Sequence, residues 1–321
     1  MKKEISIAPM LDLTDSFFRQ YVRMITQKAT LYTEMIAEQA ILKGNRDKLL
    51  SFHPSEQPLV LQIGGSTPQI MAEDIQIAED YGYREVNINA GCPSERVQAG
   101  AFGACLMAHP KQIADCLKQM EKVSKLPISI KTRIALETPE NKEEDGYKEL
   151  KHFVKITSEA GCQKFIIHAR KARLKGLSPK ENRQKLPLNY DVVYRLKEEF
   201  PELNIQINGN ITSIEEIKHH LQFVDGVMIG RKAYTDSYFL REVDSLFYGS
   251  RQPVLSREQI IKNIIPLLAQ QRNPLSASRH LMGLYYKTPV AKLWKQTLMK
   301  NDLTAISNFL NQISNRQQIG A

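Results

Sequence analysis

Eight short apolar runs, spread through the first 230 residues with helix-like stretches between them, limit what this chain can fold into more than any other feature. They are Ile5–Ala8, Leu31–Glu34, Leu59–Ile63, Glu85–Ile88, Pro127–Lys131, Lys164–His168, Asn204–Ile207 and Gly226–Ile229. Several are rich in Ile and Val, and each precedes Gly, Pro, Asn or a polar residue, so they read as strands. Between them, Pro68 to Tyr81 places Ile70, Met71, Ile75, Ile77 and Ala78 at mostly helical intervals, and Gly82 can close the helix. Lys111–Val123 and Ser213–Leu221 repeat the pattern. This alternation predicts an α/β fold of the (β/α)8 TIM-barrel kind. A doubly wound open sheet is the alternative, but no G-x-G-x-x-G follows the first strand.

After Gly249 the pattern changes. Ser256–Ala269, Ser278–Tyr286, Val290–Leu298 and Asp302–Ile313 read as helices, with no strand-like run. The chain is therefore expected to divide into a barrel over residues 1–250 and a small all-helical domain over 251–321. Charge divides in the same place. The net charge is +9, and residues 251–321 carry eight of those charges, with 10 Lys and Arg against only Glu258 and Asp302. A polyanion partner suits such a segment; a solvated helical face has the same composition. No apolar stretch reaches the ~20 residues that span a bilayer, and the two lysines near the start lead into no secretory apolar run. Cys92, Cys105, Cys116 and Cys162 form no C-x-x-C pair and have no His pattern suited to zinc. Free thiols, no metal and a cytoplasmic location are the expectation. With no obvious apolar seam, a monomer is expected.

Barrels of this kind carry their sites at the C-terminal ends of the strands. The polar residues that interrupt the apolar runs fall there: Pro9 and Met10 after the first strand, Gln62 in the third, then Asn87, Asn89, Gly91 and Cys92 around the end of the fourth. Lys131 and His168 end the fifth and sixth, Asn208-Gly209-Asn210 follows the seventh, and Gly230-Arg231 the eighth. Loops after the last two strands commonly cradle phosphate with backbone N–H groups. Gly209 and Gly230 permit close backbone approach and Arg231 can neutralise the charge, which favours a phosphorylated cofactor. Lys131 can set a positive charge beside the anionic edge of a reduced flavin, His168 can donate a hydrogen bond to it, and Gln62 can pair with its amide-like edge. Lys131 as a Schiff-base lysine is the alternative, and it leaves Cys92 and the basic tail without roles.

Cys92 stands in Asn87-Ile-Asn-Ala-Gly-Cys-Pro-Ser94, where Pro93 fixes a turn and Gly91 relieves crowding, so the thiol should face out over the barrel mouth. A free thiol titrates near ~8.5 and is mostly protonated at neutral pH, hence a usable proton donor. The other three cysteines lie among Ala, Leu and Gly and read as inert.

These motifs resemble the tRNA-dihydrouridine synthases. The resemblance rests on Ala8-Pro-Met-Leu-Asp12, Tyr32-Thr-Glu-Met35, Gln62-Ile-Gly-Gly65, the Cys92 motif, Val97-Gln-Ala-Gly-Ala-Phe-Gly-Ala-Cys-Leu-Met107, Lys131-Thr-Arg133 and Ile167-His-Ala-Arg-Lys171. Gly176-Leu-Ser-Pro-Lys-Glu-Asn-Arg183 is similar to the A-type branch. The resemblance implies an FMN-bearing barrel, a helical domain that holds tRNA, NADPH as reductant, hydride delivery to uracil C6, and Cys92 as the acid at C5. By position, Pro9, Met10, Leu11, Gln62, Lys131, His168, Asn208, Gly209, Asn210, Gly230 and Arg231 would hold FMN. Asn89 would contact the flipped uracil, and Lys180, Arg183, Lys292 and Lys295 the tRNA, with D-loop uridines 20 and 20a as targets.

Three positions depart from the family pattern. Lys292 and Lys295 stand where arginine is usual; lysine serves if the contacts are point charges to phosphate and weakens them if they are bidentate or stacked. Asn210 stands where glycine is usual, a harmless change unless the position needs a positive φ. Two other functions remain open on sequence: a flavin oxidoreductase of free pyrimidines, such as a dihydroorotate dehydrogenase, which leaves the +8 tail unexplained, and a catalytically silent RNA-binding protein.

Overall fold

The computed structural model describes residues 3–139, 141, 144–300 and 302–319; Asn301, Gly320 and Ala321, in the segment expected to be helical, lie outside the described residues. In chain order the strands are β1 (Glu4–Ile7), β2 (Leu31–Tyr32), β3 (Ile36–Ala37), β4 (Leu59–Gly64), β5 (Val86–Ala90), β6 (Ile128–Arg133), β7 (Lys164–His168), β8 (Asn204–Asn208) and β9 (Gly226–Ile229). They pair in parallel in the order β1-β9-β8-β7-β6-β5-β4-β2, with β3 also on β4. Thr30 then joins β2 to β1, donating to the Ile5 carbonyl and accepting from the Ile7 N–H, both at 2.9 Å. The sheet is thereby a nearly closed (β/α)8 barrel, as the alternation predicts.

The expected second strand, Leu31–Glu34, is two short ones. Thr33 is the reason: its hydroxyl donates to the Glu34 carbonyl at 2.8 Å and accepts the Gln62 N–H at 3.0 Å, so a side chain takes the place of a ladder bond. Elsewhere the strands are largely buried on both faces, since helices cover the outside; β4, β5 and β9 are buried at every position. The helix Pro68–Asp80 starts on proline and buries Met71, Asp74, Ile75 and Ala78, a stripe three and four residues apart. Pro110–Val123 does the same with Ile113, Ala114, Leu117 and Met120.

The chain forms two compact units. One holds the described residues of Met1–Leu11, Thr30–Phe52 and Gln57–Gly230; the other holds those of Asp12–Ala29, His53–Glu56 and Arg231–Ala321. The cut thus falls after Gly230 rather than at 250, and the second unit takes in two early segments. Buried charges hold them there. Arg19 pairs with Glu56 at 2.6 Å, both almost wholly buried. Arg23 donates to the carbonyls of Thr26, Ala29 and Glu56, and Asp244 accepts from the Thr26 hydroxyl at 2.5 Å and from the N–H groups of Gln27 and Lys28. His280 meets Asp15 at 3.0 Å. Trp294, Tyr285 and Phe309 pack against one another in tilted and edge-on contacts within this unit. The helix expected over Ser278–Tyr286 is instead Pro274–Ser278 followed by a 3-10 turn, Arg279–Gly283. Gly283 lies so near the Tyr234 carbonyl that an added Cβ would sit 2.5 Å from its oxygen, so the turn ends on a residue without a side chain.

Candidate active site

A strand alternates its side chains between faces, so the position two beyond a lumen-facing residue also faces the lumen, one layer higher. Ala8, Tyr32, Val60, Ile166 and Met228 form a contiguous buried cluster contributed by or next to β1, β2, β4, β7 and β9. Two residues beyond four of them stand Met10, Gln62, His168 and Gly230. On the remaining strands Asn89, Lys131 and Asn208 share the lumen-facing parity: Asn89 is in register with Lys131 and Lys131 with Ile166, while His168 is in register with Asn208 and Asn208 with Met228. The C-terminal strand ends therefore present polar side chains, with Met10 and Gly230 among them, over the apolar cluster. Asn89 lies inside β5 and Lys131 inside β6, so these strands run slightly further than the apolar runs suggest.

The ring is tied together. Gln62 Nε2 donates to Asn87 Oδ1 at 2.7 Å, and Asn89 Nδ2 donates to Gln62 Oε1 at 2.9 Å. Asn89 Oδ1 accepts the N–H groups of Gly91 and Cys92 at 3.1 and 3.0 Å, which bends the chain sharply after β5. Cys92 is half-buried, with Sγ 3.7 Å from Ser94 Oγ. Ser94 in turn caps the helix Glu95–Ala99. Of the other cysteines, Cys116 and Cys162 are buried and burial pushes each thiol up to about 12, as suits inert packing. Cys105 differs from expectation in being partly exposed, in the turn Gly103–Ala108.

Arg133 is a residue that the apolar pattern hides, because it ends β6 and is 3% exposed. Its Nε donates to the Gly91 carbonyl at 2.9 Å and its Nη1 to the Lys171 carbonyl at 2.8 Å. One guanidinium thus fixes the loop of Cys92 to the loop after β7. Its signal in sequence is a basic residue two beyond Lys131, at the same parity.

Electrostatically the ring is cationic. Burial, then the nearby Arg133 charge, pushes Lys131 down to about 7, and its Nζ donates to Asn208 Oδ1 at 3.3 Å. His168, 9% exposed, is held well below an ordinary imidazole by burial and then by Arg133, Lys131, Arg170 and Arg183. It is neutral at physiological pH, with one nitrogen donating and the other accepting. The charged groups acting on it are all cations, so an anion is the ligand this end of the barrel favours.

In the loop after β8, Gly209 takes φ 137° and Asn210 φ 52°. The position of Asn210 does need a positive φ, and asparagine is among the residues that most readily adopt it. A Cβ built on Gly230 meets no protein atom within 4 Å among the described residues. Pro9 and Met10 are half-buried and Leu11 is 62% exposed after β1. Lys180 is exposed on the short helix Pro179–Asn182, followed by half-buried Arg183. Asn182 pins that loop through the Arg173 N–H and the carbonyls of Arg173, Leu177 and Ser178. Arg231, Lys292 and Lys295 belong to the second unit and are exposed, the two lysines three apart on the helix Ala291–Met299. No group of three or more His, Cys, Asp or Glu suited to a metal occurs among the described residues. None of their helices is long and apolar enough to cross a membrane.

Comparison with known proteins accords with this geometry. In fold, the chain is similar to a 2-naphthoyl-CoA reductase in complex with 2-naphthoyl-CoA, with a TM-score of 0.53 and 11% identity over 75% of this chain and 49% of that one. In sequence it is 47% identical over 305 residues to the tRNA-dihydrouridine(20/20a) synthase of Synechocystis sp., covering 94% of this chain and 90% of the relative. Identity is also 47% to the enzyme of that name from Shewanella oneidensis, over 94% and 89% of the two chains. The dihydrouridine synthase family model matches residues 6–317. On a match of that extent, the chain belongs to the dihydrouridine synthase family and is an oxidoreductase.

Proposed function

We propose that this dihydrouridine synthase reduces the C5=C6 bond of uridines 20 and 20a in the tRNA D-loop, as a cytoplasmic monomer, with Cys92 as proton donor. The half-buried thiol of Cys92, on a loop that Asn89 and Arg133 fix at the strand ends, supports this most strongly.

The site residues fit FMN. The cations around neutral His168 suit an anionic ligand, and the open space at Gly230 suits a backbone-lined cradle. FMN held here would supply hydride chemistry for uracil C6, with NADPH as its reductant. Asn208, Gly209, Asn210, Gly230 and Arg231 would hold its phosphate, and Pro9, Met10, Leu11, Gln62, Lys131 and His168 would hold its ring. An anion beside Lys131 restores the ammonium charge that burial weakens. Cys92 Sγ–H gives its proton to C5 and regains one from solvent. Asn89 has its oxygen committed to the Cys92 loop and keeps one N–H for the uracil. Lys180, Arg183, Lys292 and Lys295 contact tRNA phosphates, offsetting the few kcal/mol of unstacking the base.

NADPH consumption in the presence of flavin-loaded protein is the direct test. Unmodified tRNA should support it stoichiometrically with dihydrouridine formed, and free uridine should not; equal turnover of free uridine would reject tRNA as the substrate. Replacing Lys292 and Lys295 together by Ala should weaken tRNA binding and flatten its dependence on salt by nearly two in log–log slope, about one for each phosphate that no longer meets a lysine. Flavin reduction should not change. Loss of both half-reactions together would make the pair a folding element.

A further inference from the structure

We infer that Glu85, Ser129 and Asn87, none of them at the reacting atoms, are positioning residues that set the orientation of Gln62 and Asn89 and, through them, the Cys92 loop. This rests on the reading of Cys92 as the acid. The observation is a single hydrogen-bonded chain running through the barrel. Below the bonds from Cys92 to Asn89, Gln62 and Asn87 already described, Asn87 Nδ2 donates to Ser129 Oγ at 2.9 Å, and Ser129 Oγ donates to Glu85 Oε1 at 2.7 Å. Every link runs the same way, from the Gly91 and Cys92 amides down to a carboxylate.

That direction matters because a carboxamide has nearly the same shape when flipped end for end, so only its partners decide which end is oxygen. Were Asn89 to flip, its NH2 would face two backbone N–H donors and the turn carrying Cys92 would lose its acceptor. Gln62, Asn87 and Ser129 could each run either way by themselves. Glu85 cannot, because an ionised carboxylate only accepts. Its other oxygen is held by Lys164, whose Nζ lies 3.1 Å from Glu85 Oε2 and 3.0 Å from Glu4 Oε2. The two ends of the chain thus agree, and the charge-assisted bond at Glu85 polarises the links above it. Water cannot substitute in the middle: Asn87 is 0%, Ser129 1% and Gln62 1% exposed.

The test compares Glu85→Gln and Ser129→Ala with Glu4→Gln in the flavin-loaded enzyme. Glu4→Gln alters the same Lys164 ion pair but lies off the chain. The first readout needs no turnover: the iodoacetamide alkylation rate of Cys92, resolved by peptide mass spectrometry. It should change at least about threefold in Glu85→Gln and Ser129→Ala, and stay at the parent value in Glu4→Gln. The second is single-turnover reduction of tRNA uridine, which should fall by about tenfold in the same two variants with KM for tRNA unchanged. The double variant should be no worse than the poorer single one, since one chain is broken once. Parent-like alkylation in both variants, an equal effect of Glu4→Gln, or fully multiplicative losses in the double variant would each overturn the inference. If Cys92→Ala were to leave turnover intact, the acid assignment would fail, while the alkylation rates would still decide the chain by themselves.

Discussion

Cys92→Ala is expected to slow uridine reduction by about 10²- to 10⁴-fold, the usual contribution of a positioned general acid, and to leave flavin reduction by NADPH at its parent rate. The structure makes this change clean. The bonds that shape the loop use the backbone N–H of Cys92 to Asn89 and its carbonyl from the Ala104 N–H, and Ala keeps both. The side chain gives up only the approach of Sγ to Ser94 Oγ at 3.7 Å. Half-buried as it is, the missing sulfur opens no large cavity, so thermal stability should hold within about 1 kcal/mol. Cys92→Ser should retain a small residual rate, because an alcohol is a far weaker acid than a thiol. Stopped-flow mixing of the pre-reduced enzyme with unmodified tRNA isolates the step. If flavin reoxidation by tRNA were as fast in Cys92→Ala as in the parent, the proton would have to come from elsewhere.

The barrel was legible because its strands are buried, so each is a short stretch rich in Ile and Val with its own punctuation. Ring residues were legible for a related reason. A polar residue inside such a run, as Gln62 is, or at its end, as Lys131 and His168 are, has no packing purpose there and stands out. Arg133 and Ser129 lacked that contrast, since each reads as one more polar residue in a strand that already has Lys131. Their roles come from partners 42 to 44 residues away in sequence: the Gly91 carbonyl, Asn87 and Glu85.

The makeup of the second unit was illegible for the same cause on a larger scale. Nothing near residues 12–29 announces that Thr26 will donate to Asp244, 218 residues on, or that Asp15 will meet His280, 265 residues on. Among the described residues of that segment the only helix is Ser16–Arg23. Buried ion pairs such as Arg19–Glu56 are chosen by the assembled fold, and removing one partner of such a pair leaves a costly buried charge. The expected division at residue 250 followed composition, whereas the observed second unit also draws in Asp12–Ala29 and His53–Glu56, far away in sequence.

Gly209 and Gly230 look equivalent in sequence, each closing a strand before a loop, yet substitution should separate them sharply. At Gly209 the backbone sits at φ 137°, and a Cβ would lie 2.8 Å from Leu188 Cδ2 and 3.1 Å from His168 Cδ2. Gly209→Ala should therefore destabilise the folded chain by about 1–3 kcal/mol through backbone strain alone, lowering Tm by roughly 2–4 °C for each kcal/mol in a chain of this size. Gly230 has an ordinary φ and open surroundings, so Gly230→Val should leave the Tm of the flavin-free protein where it is. Its isopropyl group instead occupies the space assigned to the cofactor. Overpacking there costs about 1–3 kcal/mol, which is roughly 10- to 100-fold in FMN affinity, and the purified variant should be nearly colourless. Tm of the flavin-free proteins and FMN titration by fluorescence quenching read the two effects apart. A Gly230→Val protein that binds FMN as tightly as the parent would remove this loop from the cofactor site.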